Sequence, residues 1–190
     1  MMGKGRVIIL SGPSGAGKTT LHDLLLKSAE FSGRLVRSIS ATTRKPRGEE
    51  RHGREYLFLS KATFEHKIRT GQFLEWMKVF DNYYGTPMKA VQGALDKGKH
   101  VLLCIDVKGA AVIKAKVPDA LTVFVRTTTL GELRRRLEQR GTDSPESVAL
   151  RLKTAELELN EAVYYDHVVV NDTLEKAFAD LAVWLEKALA

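Results

Sequence analysis

The sequence predicts an α/β fold: a parallel sheet with helices on both faces. Short apolar, β-branched runs alternate with stretches of helical periodicity, the pattern of strand–helix–strand units. A glycine-rich turn joins the first such run to the first helix. With 190 residues and 44% hydrophobic content, the chain can bury one core and suits a single domain with insertions.

The elements follow in order. Val7–Leu10 reads as a buried strand, and the periodicity of Leu21, Leu24, Leu25 and Lys27 as a helix. Leu35–Ser40 and Tyr56–Leu59 read as short strands around an arginine-rich loop. Thr63–Ile68 is expected to be helical and Phe73–Phe80 extended. Thr86 followed by Pro87 predicts a capped helix reaching about Lys97. His100–Asp106 and Leu121–Arg126 are expected strands on either side of a helix over Ala110–Lys116. Thr129 and Glu132 have capping-box spacing for a helix Leu130–Gln139. Ser144-Pro145 opens another helix to about Val163, His167–Asn171 is a last strand, and Leu174–Leu189 closes the chain as an amphipathic helix. Residues 36–92 break the alternation with short, polar, hairpin-like strands and read as an inserted lobe.

Composition removes several functional classes. No uninterrupted apolar run is longer than Val101–Ile105, far short of the ~20 residues that span a bilayer. Val7–Leu10 is too short for a secretory core. Cys104 is the only cysteine, which leaves no intrachain disulfide and no cysteine-rich metal site. A reducing cytoplasm and no membrane contact are expected. The net charge of +7 is unevenly placed: residues 34–54 carry seven Lys or Arg against Glu49 and Glu50, and residues 126–140 carry five Arg against Glu132 and Glu138. Two basic clusters on a nearly neutral body suit a phosphate-bearing partner, either nucleic acid or small phosphates.

Gly12-Pro13-Ser14-Gly15-Ala16-Gly17-Lys18-Thr19 follows the first strand directly and matches the P-loop pattern in full. Glycines let successive N–H groups turn around a phosphate, and the helix that follows adds the positive end of its dipole. Lys18 would reach the β- and γ-phosphates, the Thr19 hydroxyl a magnesium ion, and Thr20 extends the same site. The motif implies a bound nucleoside triphosphate and leaves the reaction open.

The run Ser38-Ile39-Ser40-Ala41-Thr42-Thr43-Arg44-Lys45-Pro46-Arg47, continuing through Gly53 to Tyr56, narrows the choice. Together with Ser11–Gly15, Phe73-Leu74-Glu75-Trp76, Asn82–Thr86, Leu137–Thr142 and Val169–Asp172, it resembles guanylate kinase, in order along essentially the whole chain. The resemblance implies a P-loop NTPase-like core (1–35, 93–133 and 157–190), a small GMP-binding lobe (36–92) and a helical lid (134–156). It implies ATP and GMP as substrates, Mg²⁺ as cofactor and no nucleic acid. Glu75 would read guanine through N1–H and the exocyclic amine, with Asp106 assisting and the hydroxyls of Ser40 and Thr86 near O6. Arg44, Arg47, Tyr56 and Tyr84 would hold the GMP phosphate. Lys18, Arg44, Arg136 and Arg151 would act in transfer, Arg140 on the ATP phosphates, and Asn171 on the adenine.

One stretch departs from the family pattern. Cys104-Ile105-Asp106 stands where the family commonly has Asp-x-Asp, and Lys108 where it often has Gln. Thr19 is then the expected protein ligand of magnesium, with Asp106 the nearest carboxylate, and Cys104 is expected to be a buried, inert thiol. Rival readings are a related kinase of another monophosphate or ribosyl phosphate, a non-catalytic interaction module of the same fold, and an RNA-binding regulator.

Overall fold

The computed structural model describes residues 5–79, 81–139 and 144–190. Five parallel strands make the central sheet: β1 (Val7–Ser11), β2 (Leu35–Arg37), β7 (His100–Cys104), β8 (Leu121–Arg126) and β9 (His167–Val170). Their spatial order is β2-β7-β1-β8-β9. The first strand is therefore central, and the chain leaves it to opposite sides, pairing Ile8 with Leu102 and with Leu121. Such a switch point leaves a crevice beyond the C-terminal strand ends.

All five residues of β1 are buried, which explains its unbroken apolar run: both faces are covered. Ile8 and Leu10 join Leu21 and Leu25 of α1 (Lys18–Lys27) and Leu181 and Leu185 of α7 (Leu174–Leu189). Val7 and Ile9 face the other way, packing with Val91 of α3 (Met88–Leu95) and Ile113 of α4 (Val107–Lys116). Successive side chains of a strand alternate faces, and here each face has its own core.

A second sheet has the order β4-β3-β6-β5, built from β3 (Ala41–Thr42), β4 (Leu57–Phe58), β5 (Phe73–Val79) and β6 (Asn82–Pro87). The helix α2 (Lys61–Arg69) lies on it, and Phe64 stacks on Phe73 and Tyr83 at centroid distances of 4.4 and 5.3 Å. Two further helices, α5 (Leu130–Gln139) and α6 (Pro145–Leu159), form a separate pair around Leu133, Leu137, Val148 and Leu152. Among the described residues no helix is long and apolar enough to cross a membrane.

Four local expectations are corrected. Thr86 and Pro87 end a strand, Asn82–Pro87, rather than start a helix, because the stretch pairs along β5 from Val79↔Asn82 to Phe73↔Pro87. Thr86 therefore caps nothing; α3 begins after Pro87 with no side-chain cap, and the Met88 N–H donates to the Gln72 carbonyl at 2.9 Å. The expected strand Leu35–Ser40 stops at Arg37, and the chain joins the second sheet at Ala41. Thr129 accepts from the Glu132 N–H at 3.1 Å, yet the reciprocal half of the box is missing, since the Glu132 carboxylate binds Arg135 and Arg136. The helix expected to reach Val163 ends at Leu159, followed by a 3-10 turn over Asn160–Tyr164.

Candidate active site

The turn between β1 and α1 is held open by glycines in the left-handed region, with φ of 126° at Gly12, 92° at Gly15 and 93° at Gly17. Each is also backed by protein. A Cβ on Gly12 would lie 2.2 Å from the Val125 carbonyl oxygen, one on Gly15 3.1 Å from the Leu133 and Leu137 methyls, and one on Gly17 2.1 Å from the Asn171 amide nitrogen. The sequence suggests that these glycines clear the side facing a phosphate; the structure adds that the opposite side is occupied.

Helix α1 starts at Gly17 with no side-chain cap and no acidic residue in its first turn. Its N–H groups and dipole are left available to an anion. Lys18 Nζ donates to the carbonyls of Gly12 and Pro13 at 2.7 and 2.8 Å, which holds the ammonium at the mouth of the turn. Ser14 Oγ accepts from Arg151 of α6 at 3.0 Å, while Thr19 and Thr20 are exposed. Gly15, Gly17, Thr20, Arg136, Asn171 and Leu174 line a hollow of about 300 Å³ beside the turn.

On the other side of Ser14 lies a cavity of about 390 Å³, whose walls include Ser40, Tyr56, Glu75, Tyr84, Cys104 and Asp106. These residues come from both sheets. Glu75 is only 5% exposed, and its Oε1 accepts from the Thr86 hydroxyl at 2.7 Å. Burial pushes its carboxyl above the usual range, the Thr86 hydrogen bond opposes this, and the charge of Asp106 adds to it. Asp106 caps α4, accepting from the Gly109 N–H at 2.7 Å. The two carboxylates converge on Gly109, where a Cβ would sit 3.4 Å from an oxygen of each. Sequence reasoning did not select Gly109; its place three residues after a capping Asp was the available signal.

The Arg44 guanidinium lies 5.5 Å over the Tyr56 ring. It forms a two-pronged ion pair with Glu50 at 2.9 and 3.0 Å, a contact that keeps it firmly protonated and, with Tyr84, fixes its direction. Glu50 was not anticipated, since a carboxylate beside seven cations reads as ordinary charge balance. Arg47 is exposed and stands outside the cavity wall; its backbone engages Glu50, the N–H donating to the carboxylate at 2.8 Å and the carbonyl accepting from the Glu50 N–H at 3.0 Å.

Arg136 Nε donates to Glu132 at 2.7 Å and Nη2 to the Asn171 carbonyl at 2.9 Å. Arg140 lies outside the described residues. Cys104 departs from its expected setting: it is half-buried at the end of β7 and lines the cavity rather than the core. Burial raises its thiol pKa, with the Lys18 charge and a hydrogen bond to Thr19 working against this.

The fold is shared with known proteins. A family model described as guanylate kinase matches residues 4–188. A guanylate kinase of Myxococcus xanthus is 47% identical over 178 residues, covering 93% of this chain and 84% of its own. One of Rubrobacter xylanophilus is 44% identical over 189 residues, covering 100% and 97%. The crystal structure of guanylate kinase from Anaplasma phagocytophilum superposes with a TM-score of 0.76 at 29% identity, over 97% of this chain and 86% of that one. With full-length matches in sequence and in fold, the chain belongs to the guanylate kinase family and is a nucleoside monophosphate kinase.

Proposed function

We propose that the chain transfers the γ-phosphoryl group of ATP to GMP, giving ADP and GDP, with the donor on the Gly12–Thr19 turn and the acceptor in the Glu75 cavity. The observation that carries this assignment is the shared wall: Ser14 belongs to the phosphate turn and lines the cavity that holds Glu75 and Asp106. Two nucleotides seated there meet phosphate to phosphate, the alignment that phosphoryl transfer requires.

Guanine presents two adjacent donors, N1–H and the exocyclic amine, and a carboxylate accepts from both, whereas adenine offers no such pair on that edge. Glu75 serves as that carboxylate, with Asp106 beside it, while Thr86 holds Glu75 in register through its 2.7 Å hydrogen bond and Ser40 lines the same space. Arg44, Tyr56 and Tyr84 hold the acceptor phosphate, a forked guanidinium with two phenol hydroxyls matching a doubly charged monoester. We place Arg47 in the same cage only through rotation of its exposed side chain. Gly12 to Thr20 hold the donor phosphates, and Lys18, Arg136 and Arg151 neutralise the charge that develops during transfer. We assign residues 36–92 to a lobe that closes over GMP and 134–156 to a lid that closes over ATP, excluding water as a competing acceptor.

The described residues contain no cluster of three or more His, Cys, Asp or Glu that could enclose a metal. The exposed hydroxyl of Thr19 and the Asp106 oxygen not used in capping are hard oxygen donors that fit magnesium, which keeps several waters and phosphate oxygens in such sites. Bound there, the ion would offset charge on the β- and γ-phosphates.

Steady-state ADP formation with GMP, AMP, UMP and dTMP as acceptors tests the assignment. GMP should be strongly preferred; a preference for AMP would overturn the role of Glu75, and ADP formation without any acceptor would overturn the paired arrangement.

A further inference from the structure

We propose that Asn171 is a positioning residue for the phosphate turn, aiming its backbone at the donor phosphates, beyond any contact with the adenine. This rests on reading Gly12–Thr19 as the donor phosphate site.

Asn171 follows β9 and is 4% exposed. Its N–H donates to the Arg126 carbonyl at 2.7 Å, which ties it to the central sheet. Its side-chain Nδ2 donates to the Ala16 carbonyl at 2.8 Å. Its own carbonyl accepts from Arg136 at 2.9 Å. One residue thus joins the sheet, the phosphate turn and an arginine of α5.

The bond to Ala16 has a directional consequence. In a trans peptide the carbonyl of one residue and the N–H of the next point opposite ways, and the described chain has no cis peptide. Holding the Ala16 oxygen toward Asn171 therefore turns the Gly17 N–H away from it, toward the open side of the turn. The contact also requires Gly17, because a Cβ there would meet the Asn171 amide at 2.1 Å. Preorganised N–H donors cost no reorientation when charge develops. The Arg136 guanidinium, held by the same residue, is kept at the edge of the 300 Å³ hollow.

Tripolyphosphate, which has no base, separates the two roles. Calorimetry on the purified full chain should give binding to the wild type and loss of binding in Lys18→Ala; no wild-type binding would overturn the phosphate-turn reading itself. In Asn171→Ala and Asn171→Asp, tripolyphosphate and ATP affinities should fall together, roughly tenfold for loss of one buried hydrogen bond. The affinity for GMP should stay at its wild-type value. Unchanged tripolyphosphate affinity with weakened ATP would leave Asn171 a base contact only and overturn the proposal. If the variants do not fold, the wild-type protein still decides. Its Asn171 side-chain amide protons should exchange slowly by NMR with and without tripolyphosphate, and rapid exchange overturns the inference.

Discussion

The donor turn and the acceptor cavity sit on either side of Ser14 and are built on opposite principles. The donor turn is eight consecutive residues whose work is done mainly by backbone: left-handed glycines, an uncapped helix start and one lysine. The acceptor cavity draws side chains from β5, β6, β7, the start of α4 and the arginine-rich loop, and holds a buried carboxylate in place with a threonine from the neighbouring strand. A backbone site binds phosphate whatever nucleoside carries it; a side-chain site can read a base. The difference assigns triphosphate affinity to one half and selectivity to the other, and substitutions should separate the two.

The largest effect is expected from Lys18→Ala, which removes the charge nearest the transferring group. Turnover should fall about 10²–10³-fold, the scale for losing one preorganised electrostatic contact, with GMP affinity by calorimetry unchanged. Loss of GMP binding in this variant would merge the two halves and break the comparison.

Glu75→Gln comes next. An amide nitrogen faces the guanine donors in place of an acceptor, so GMP affinity should weaken by about 1–3 kcal/mol, with tripolyphosphate binding intact. The sign of its pH dependence follows from burial. A carboxyl held above its ordinary value protonates earlier as pH falls, and the protonated form no longer accepts from both guanine donors. The KM for GMP should therefore rise toward acid pH more steeply in the wild type than in Glu75→Gln, which has no carboxyl at this position. The same raised value destabilises the ligand-free fold at pH above it, so the variant should melt higher than the wild type near pH 7. A lower melting temperature would show that the buried charge is compensated.

A smaller loss is expected for Gly17→Ala, which forces a side chain into left-handed backbone against Asn171. Stability should drop by about 1–3 kcal/mol, read as a lower denaturation midpoint. The smallest is Glu50→Gln, because the amide oxygen can still accept from the Arg44 guanidinium in this partly buried pair. Its expected signature is a change in KM for GMP of less than about threefold, since Arg44 loses a competing carboxylate partner. A collapse of GMP binding would make Glu50 part of the cage.

Legibility in the sequence followed the range of the interactions involved. The central strands and α7 are short-range patterns of apolar spacing and were readable, as was the phosphate turn, whose residues are consecutive. Thr86-Pro87 was misread because a threonine before a proline is a good local helix start, and only pairing with β5 makes it the end of a strand. Glu50 and the amide of Asn171 were invisible for a related reason: each matters through a partner that the sequence does not identify.

The amino-acid order by itself determined that the chain would form a covered parallel sheet carrying a phosphate-binding turn, because period, glycine spacing and helix starts are encoded in neighbours along the chain. Tertiary structure alone decided which carboxylate is buried, which arginine is paired and what stands behind each glycine. Those outcomes depend on desolvation and on distances between residues up to 155 positions apart, and no local pattern records them.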